Sequence, residues 1–230
     1  IPDGSRIHYV ITRGGNAPNV VPDFAEVFYY VRDFNVDILE DIWSRVLKTA
    51  EGAALGTDTR LEYEITHGNR PVLANDVAQK IMYNNLKTIG GIDYDRKEKK
   101  FANEIYKTLR NPNLDLESAS EVQPYGFRKG KGSTDVGDVS WMVPTARLRV
   151  ATWVPGTSAH TWQAVSAGGM SIGMKGMVNA AKVIAGTAFD LYNDPEAIKN
   201  AKKELIERRG PKFNYYSLLG ERNPPLDYRK

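Results

Sequence analysis

Hydrophobic and polar positions change period several times along this chain, and each change marks a predicted element. Residues 7–12 (Ile-His-Tyr-Val-Ile-Thr) and 25–32 (Ala-Glu-Val-Phe-Tyr-Tyr-Val-Arg) are rich in β-branched and aromatic side chains with partial alternation, which predicts two strands. Between them, Arg13 to Asp23 carries two glycines and two prolines and predicts an irregular loop. From Asp37 the period lengthens. Ile38, Ile42 and Val46, with Leu39, Trp43 and Ala50, form one apolar stripe, the mark of an amphipathic helix ending between Gly52 and Gly56. Residues 60–66 alternate again and predict a third strand with one face in water. Two strands, a helix and a third strand make half of a split βαβ, ferredoxin-like sheet.

Past this unit the pattern is mostly helical. Val77, Ile81, Met82 and Leu86 recur at helical spacing within 75–86, and Gly90-Gly91 then reads as a hinge, since paired glycines bend at little cost. A helix is expected from about Asp95 to Leu109, stopped by Asn111-Pro112-Asn113. Residues 146–154 read as a strand. Residues 168–191 are small and apolar almost all round, which predicts a buried helix packed on a sheet. Asp194-Pro195 opens a further helix and Gly210-Pro211 closes it. The tail from Lys212, with Tyr215, Tyr216 and Pro224-Pro225, reads as an irregular surface segment. The fold class expected is α/β.

Composition narrows the function classes. The chain has 230 residues, 41% of them hydrophobic and 26% charged, values ordinary for a folded protein rather than a disordered one. Its net charge of +3 comes from 31 basic and 28 acidic residues, too slight an excess to argue for nucleic acid. The densest basic run, residues 96–100, is broken by Glu98 and reads as a solvated face. Phe28, Tyr29 and Tyr30 read as packing residues rather than a stacking platform for bases. Without cysteine there is no disulfide framework and no thiolate metal site. No apolar run approaches the ~18 residues of a membrane span, so a soluble protein is expected.

The candidate chemistry is concentrated in a few places. Lys131-Gly132-Ser133-Thr134-Asp135 leads into Val136-Gly137-Asp138, and about twenty residues later comes Pro155-Gly156-Thr157-Ser158-Ala159-His160. Gly132, Ser133, Thr134 and Asp135 could serve as a helix N-cap, as a cradle for a carboxylate or oxyanion, or as both. His160 could be a metal ligand, or a histidine satisfied by ordinary hydrogen bonds, because a hydrolytic metal needs about three converging protein ligands. Asn19 precedes Val20-Val21-Pro22, and Arg32 follows thirteen residues later. An Arg fork with a nearby amide suits a carboxylate, although the residues alone favour a loop-anchoring Asn and a surface Arg. His8 reads as a packing residue in its strand, and His67 precedes the turn Gly68-Asn69-Arg70-Pro71 with an open role. The stretch from Gly132 is not a Walker loop.

In order and spacing, the Gly-Ser-Thr-Asp turn, the later His loop and the Asn…Arg pair resemble the co-catalytic metal amidohydrolases and carboxypeptidases, among them the B subunits of aminobenzoyl-glutamate hydrolases. The resemblance implies a ferredoxin-like lid and dimerisation part at 1–88 and the closing part of an α/β metallo-exopeptidase catalytic domain at 89–230. It implies substrate binding by Asn19, Arg32 and Gly132, Ser133, Thr134 and Asp135, and metal ligation by His160. Two divalent ions, Zn²⁺ or Mn²⁺, are implied for each complete site, with the general base outside this chain. Nothing here resembles the family's early ligand stretch or its paired-Glu base motif. The chain is therefore expected to be roughly the C-terminal half of a cytoplasmic enzyme cleaving an N-acyl amino acid such as aminobenzoyl-glutamate, inactive alone. Its missing half would have been cleaved off, lie in a companion chain or never have been built, and the enzyme would dimerise through the lid, with neither nucleic acid nor membrane as partner. Two other readings remain: a non-catalytic dimerisation module using an exposed sheet edge, and a peptide-binding subunit that keeps the fold without hydrolysis.

Overall fold

The computed structural model describes residues 1–127, 130, 132–223 and 225–226; Lys131 at the head of the Gly-Ser-Thr-Asp segment and Pro224 in the tail lie outside the described residues. The described chain is α/β, with one two-stranded sheet and seven α-helices among these residues. It divides into two compact units: residues 1–72, 132–138 and 214–230 form the first, and residues 73–131 and 139–213 form the second.

In the first unit, strand β1 (Arg6–Arg13) pairs antiparallel with β2 (Glu26–Arg32), in a register that sets Arg6 against Arg32 and His8 against Tyr30. The ladder is irregular between Ile11 and Arg13, where the Thr12 hydroxyl donates to the Glu26 carboxylate at 2.5 Å. Helix α1 (Val36–Gly56) follows, with the Asn35 side chain accepting from the Asp37 and Ile38 amides as its N-cap. The third strand expected at 60–66 is not there. Among the described residues no neighbour pairs with it, and a strand without a ladder partner has nothing to hold its backbone. Side chains hold the segment instead: Tyr63 packs edge-on against Trp43 at 6.3 Å, and Arg222 donates to the Ile65 carbonyl and the Glu64 carboxylate.

The second unit is helical. It holds α2 (Asp76–Ile89), α3 (Arg96–Tyr106), α4 (Val136–Met142, which crosses into it from the first unit), α5 (Trp162–Gly168), α6 (Ser171–Asn193) and α7 (Pro195–Arg209). Asn75 caps α2 and Asp95 caps α3 with a complete capping box to Glu98. Asp194 caps α7, with Pro195 in its first turn and Gly210 after its end, as the sequence predicts. The glycine pair expected to be a hinge is fixed. Gly90 ends α2 with φ +84°, while a Cβ on Gly91 would run into the Ser120 backbone, and Ile92 donates to the Ala119 carbonyl at 2.8 Å. The strand expected at 146–154 is extended chain whose backbone partner is a side chain: the Gln79 amide both donates to and accepts from Arg147, each at 2.9 Å. Val154 enters the core with Ala102, Ile105, Ala167 and Ile172. Helix α6 packs on α2, α5 and α7 rather than on a sheet, and only one of its faces is buried.

Candidate substrate and metal site

The Gly132–Asp135 turn leads into α4 in the first unit. The Thr134 side chain accepts from the Val136 amide at 3.3 Å, and the Thr134 carbonyl accepts from the Gly137 amide at the same distance, so the hydroxyl organises the turn locally as a cap does. Three residues on, Asp138 anchors it. Its carboxylate accepts from the Arg70 amide at 3.2 Å and from the Tyr215 hydroxyl at 3.0 Å. Burial, helped by the Asp138 hydrogen bond and charge, pushes the Tyr215 phenol above its ordinary range. Arg70 is only 4% exposed, with its guanidinium 4.3 Å from the Tyr216 ring centre and donating to the Tyr216 carbonyl at 3.2 Å. Gly137 lies so close to Arg70 that an added Cβ would collide with the Arg70 carbonyl.

Arg70, Asp138, Tyr215 and Tyr216 thus hold the turn in place, and sequence reading missed all four in that role. The signal available was slight: a Gly-Asn-Arg-Pro turn and a tyrosine pair in the tail, far apart in sequence.

Asn19 is exposed in the loop that leads into β2, beside a turn closed by the Val20 amide and Ala17 carbonyl. Arg32 ends the same strand, with its guanidinium 5.1 Å from the Tyr30 ring centre. The two therefore flank β2 at opposite ends. His8 is an exposed strand residue rather than a packed one, and His67 contacts the Thr66 hydroxyl at 3.2 Å.

His160 belongs to the second unit. It is exposed, sits at φ +61° in the left-handed region that disfavours non-glycine residues, and lines a shallow cavity with Trp153, Thr161, Ala164 and Val165. Thr161 fixes the loop by accepting from the Ala164 amide at 3.3 Å and donating to the Ser158 carbonyl at 2.8 Å. Among the described residues no three of His, Asp and Glu converge to hold a metal ion. His160 could supply one ligand, and these residues do not by themselves form a metal centre.

The basic run contains an ion pair that the sequence hides. Glu98, expected on a solvated face, is buried; its carboxylate accepts from Lys175 at 2.5 Å and from the Asp95 amide at 2.8 Å. Burial works to raise its pKa, but the hydrogen bonds and the Lys175 charge outweigh it and leave the carboxyl below its ordinary range. Nearby, burial first and the Glu98 charge second push the Tyr94 phenol up to about 12, so it stays neutral.

The chain is similar in sequence to a subunit of p-aminobenzoyl-glutamate hydrolase and to dipeptidases. It is 36% identical to the B subunit of p-aminobenzoyl-glutamate hydrolase from Escherichia coli (strain K12), over 89% of this chain and 48% of that one. It is 27% identical to the Xaa-Arg dipeptidase of Mus musculus and 25% identical to that of Homo sapiens, each over 87% of this chain and 40% of the relative. The chain thus spans about half the length of the curated relatives it matches or less. No family model matches it. Among the described residues no helix is long and apolar enough to cross a membrane.

Proposed function

We propose that this chain is part of a metal-dependent amidohydrolase that cleaves an N-acyl amino acid amide such as aminobenzoyl-glutamate. The similarity over 89% of the chain to one polypeptide of a p-aminobenzoyl-glutamate hydrolase carries the reading, and the dipeptidase relatives also hydrolyse an amide bond next to an amino acid, by their names. Water adds across that bond: the hydroxyl goes to the acyl carbon and the proton to the departing amine. When bound, two Zn²⁺ or Mn²⁺ ions would polarise the amide carbonyl and activate water. This chain's contribution is binding and orientation. Arg32 takes the substrate's free carboxylate, Asn19 is a further substrate contact from the loop at the other end of β2, the Gly132–Asp135 turn lines the rim, and His160 adds one ligand to a set completed by polypeptide outside these residues.

On this reading the ferredoxin-like lid spans 1–88, the closing part of the catalytic domain spans 89–230, and the enzyme is a cytoplasmic homodimer paired through the lid. The chain alone is inactive. The test uses the longest natural form of the protein, loaded with Zn²⁺ or Mn²⁺ and assayed for release of p-aminobenzoate from p-aminobenzoyl-glutamate. Arg32→Ala should raise KM at least about tenfold for that substrate and leave its α-amide analogue nearly unaffected. Equal losses on both substrates would remove the carboxylate role, and no release of p-aminobenzoate or of amino acid from any N-acyl amino acid would remove the hydrolase reading.

A further inference from the structure

Within the first unit, the segment that follows α7 is tied down along one line. The Tyr215 hydroxyl donates to the Asp138 carboxylate at 3.0 Å, and the Tyr216 hydroxyl donates to the Glu40 carboxylate on α1 at 2.7 Å. A Cβ on Gly68 would collide with the Leu218 backbone, and Arg222 donates to the Ile65 carbonyl at 3.2 Å. The segment therefore lies along residues 65–70. That same stretch meets the Gly132–Asp135 turn. The Arg70 amide donates to the second oxygen of Asp138 at 3.2 Å, and the Arg70 carbonyl sits where a Cβ on Gly137 would be. Asp138 is thus a joint, with one oxygen on the C-terminal segment and the other on residue 70.

The turn has little else to hold it. Among the described residues, the hydrogen bonds of 132–135 run to one another and to 136–138, and Gly132 has open space around it. The Gly137 amide donates to the Thr134 carbonyl at 3.3 Å and the Asp138 amide to the Asp135 carbonyl at 3.1 Å, so the turn follows wherever Asp138 is held. We propose that Tyr215 is a positioning residue for substrate: through Asp138 its hydroxyl fixes the Gly132–Asp135 turn, and the C-terminal segment thereby sets substrate affinity without touching substrate. The proposal rests on the reading of that turn as the rim of the substrate site. A carboxylate that accepts on both oxygens from two separate segments is fixed in rotation, and loss of either donor frees it to swing. The phenol suits this task, because burial holds its pKa above the ordinary range and it keeps its proton at any assay pH.

The variant that tests this is Tyr215→Phe, which removes the hydroxyl and keeps the ring. In the 230-residue chain, hydrogen exchange at the Arg70, Val136 and Gly137 amides should become about tenfold faster, with the melting temperature within about 3 °C of wild type. In the longest natural form of the protein, loaded with Zn²⁺ or Mn²⁺, KM for p-aminobenzoyl-glutamate should rise about fivefold while kcat stays within about twofold. Asp138→Asn leaves one oxygen for two donors, so it should raise KM at least as much, and the double variant should go no further. Unchanged exchange overturns the proposal. So do a fall in kcat at constant KM, a KM rise that comes only with a larger fall in melting temperature, and losses that add in the double variant. A wild type inactive on every N-acyl amino acid removes the hydrolase reading and this role with it, whereas an active wild type with any of those results removes this role alone.

Discussion

Glu98 and His160 show how far a residue's identity can be from its role. Glu98 looks like one charge in a basic surface run, yet it is buried and serves at once as the N3 partner of a capping box and as the anion of the Lys175 pair. Lys175→Met should lower stability in chemical denaturation at pH 7, because it leaves the buried Glu98 carboxylate without its cation. The sign with pH follows from the depressed carboxyl. Its contribution is present in full above its ordinary 4.5 and is lost as pH falls through the lower folded value. The gap between wild type and variant should therefore be full at neutral pH and close in acid, read from melting temperatures between pH 7 and pH 3. His160 carries the opposite tension. Its φ of +61° is better suited to glycine, so His160→Gly should leave the fold as stable or stabilise it by up to about 1 kcal/mol, whatever it does to ligand binding. A clear loss of stability would mean that the imidazole has a packing role.

Elements with a local cause were legible in the sequence, and elements that need a partner were not. The helices over 36–56, 76–89 and 195–209 carry their own signals, an apolar stripe and a capping Asn or Asp, and they form where those signals predict. The stretches at 60–66 and 146–154 alternate or run apolar like strands, but a strand exists only through its neighbour, and here a tail arginine and the Gln79 amide take up their polar groups. The turn at 132–135 is similar: its residue types were readable, its support by Arg70 and Tyr215 was not. That support makes a prediction. Gly137→Ala pushes a methyl group into the Arg70 carbonyl and should destabilise the protein by about 3 kcal/mol, with loss of the Arg70 to Asp138 contact. Arg70→Lys should lower stability less and, in the parent enzyme, alter KM before kcat if the turn positions substrate.

At the scale of the whole molecule the metal is the sharpest test. Loaded with Zn²⁺ or Mn²⁺ and dialysed, the isolated chain should keep less than about a tenth of an equivalent, because no three ligands converge among its described residues. Stoichiometric retention by elemental analysis, abolished in His160→Ala, would mean that the ligand set is complete within this chain and that the division of the site is wrong. By itself the sequence determined the likeness to p-aminobenzoyl-glutamate hydrolase, the α/β class and the capped helices, because each is written in local pattern or in motif order. Tertiary structure alone decided which apolar face of α6 is used, which charge of the basic run is buried, and what holds the turn that leads into α4. Those outcomes depend on groups distant in sequence meeting in space, and neither periodicity nor composition records such meetings.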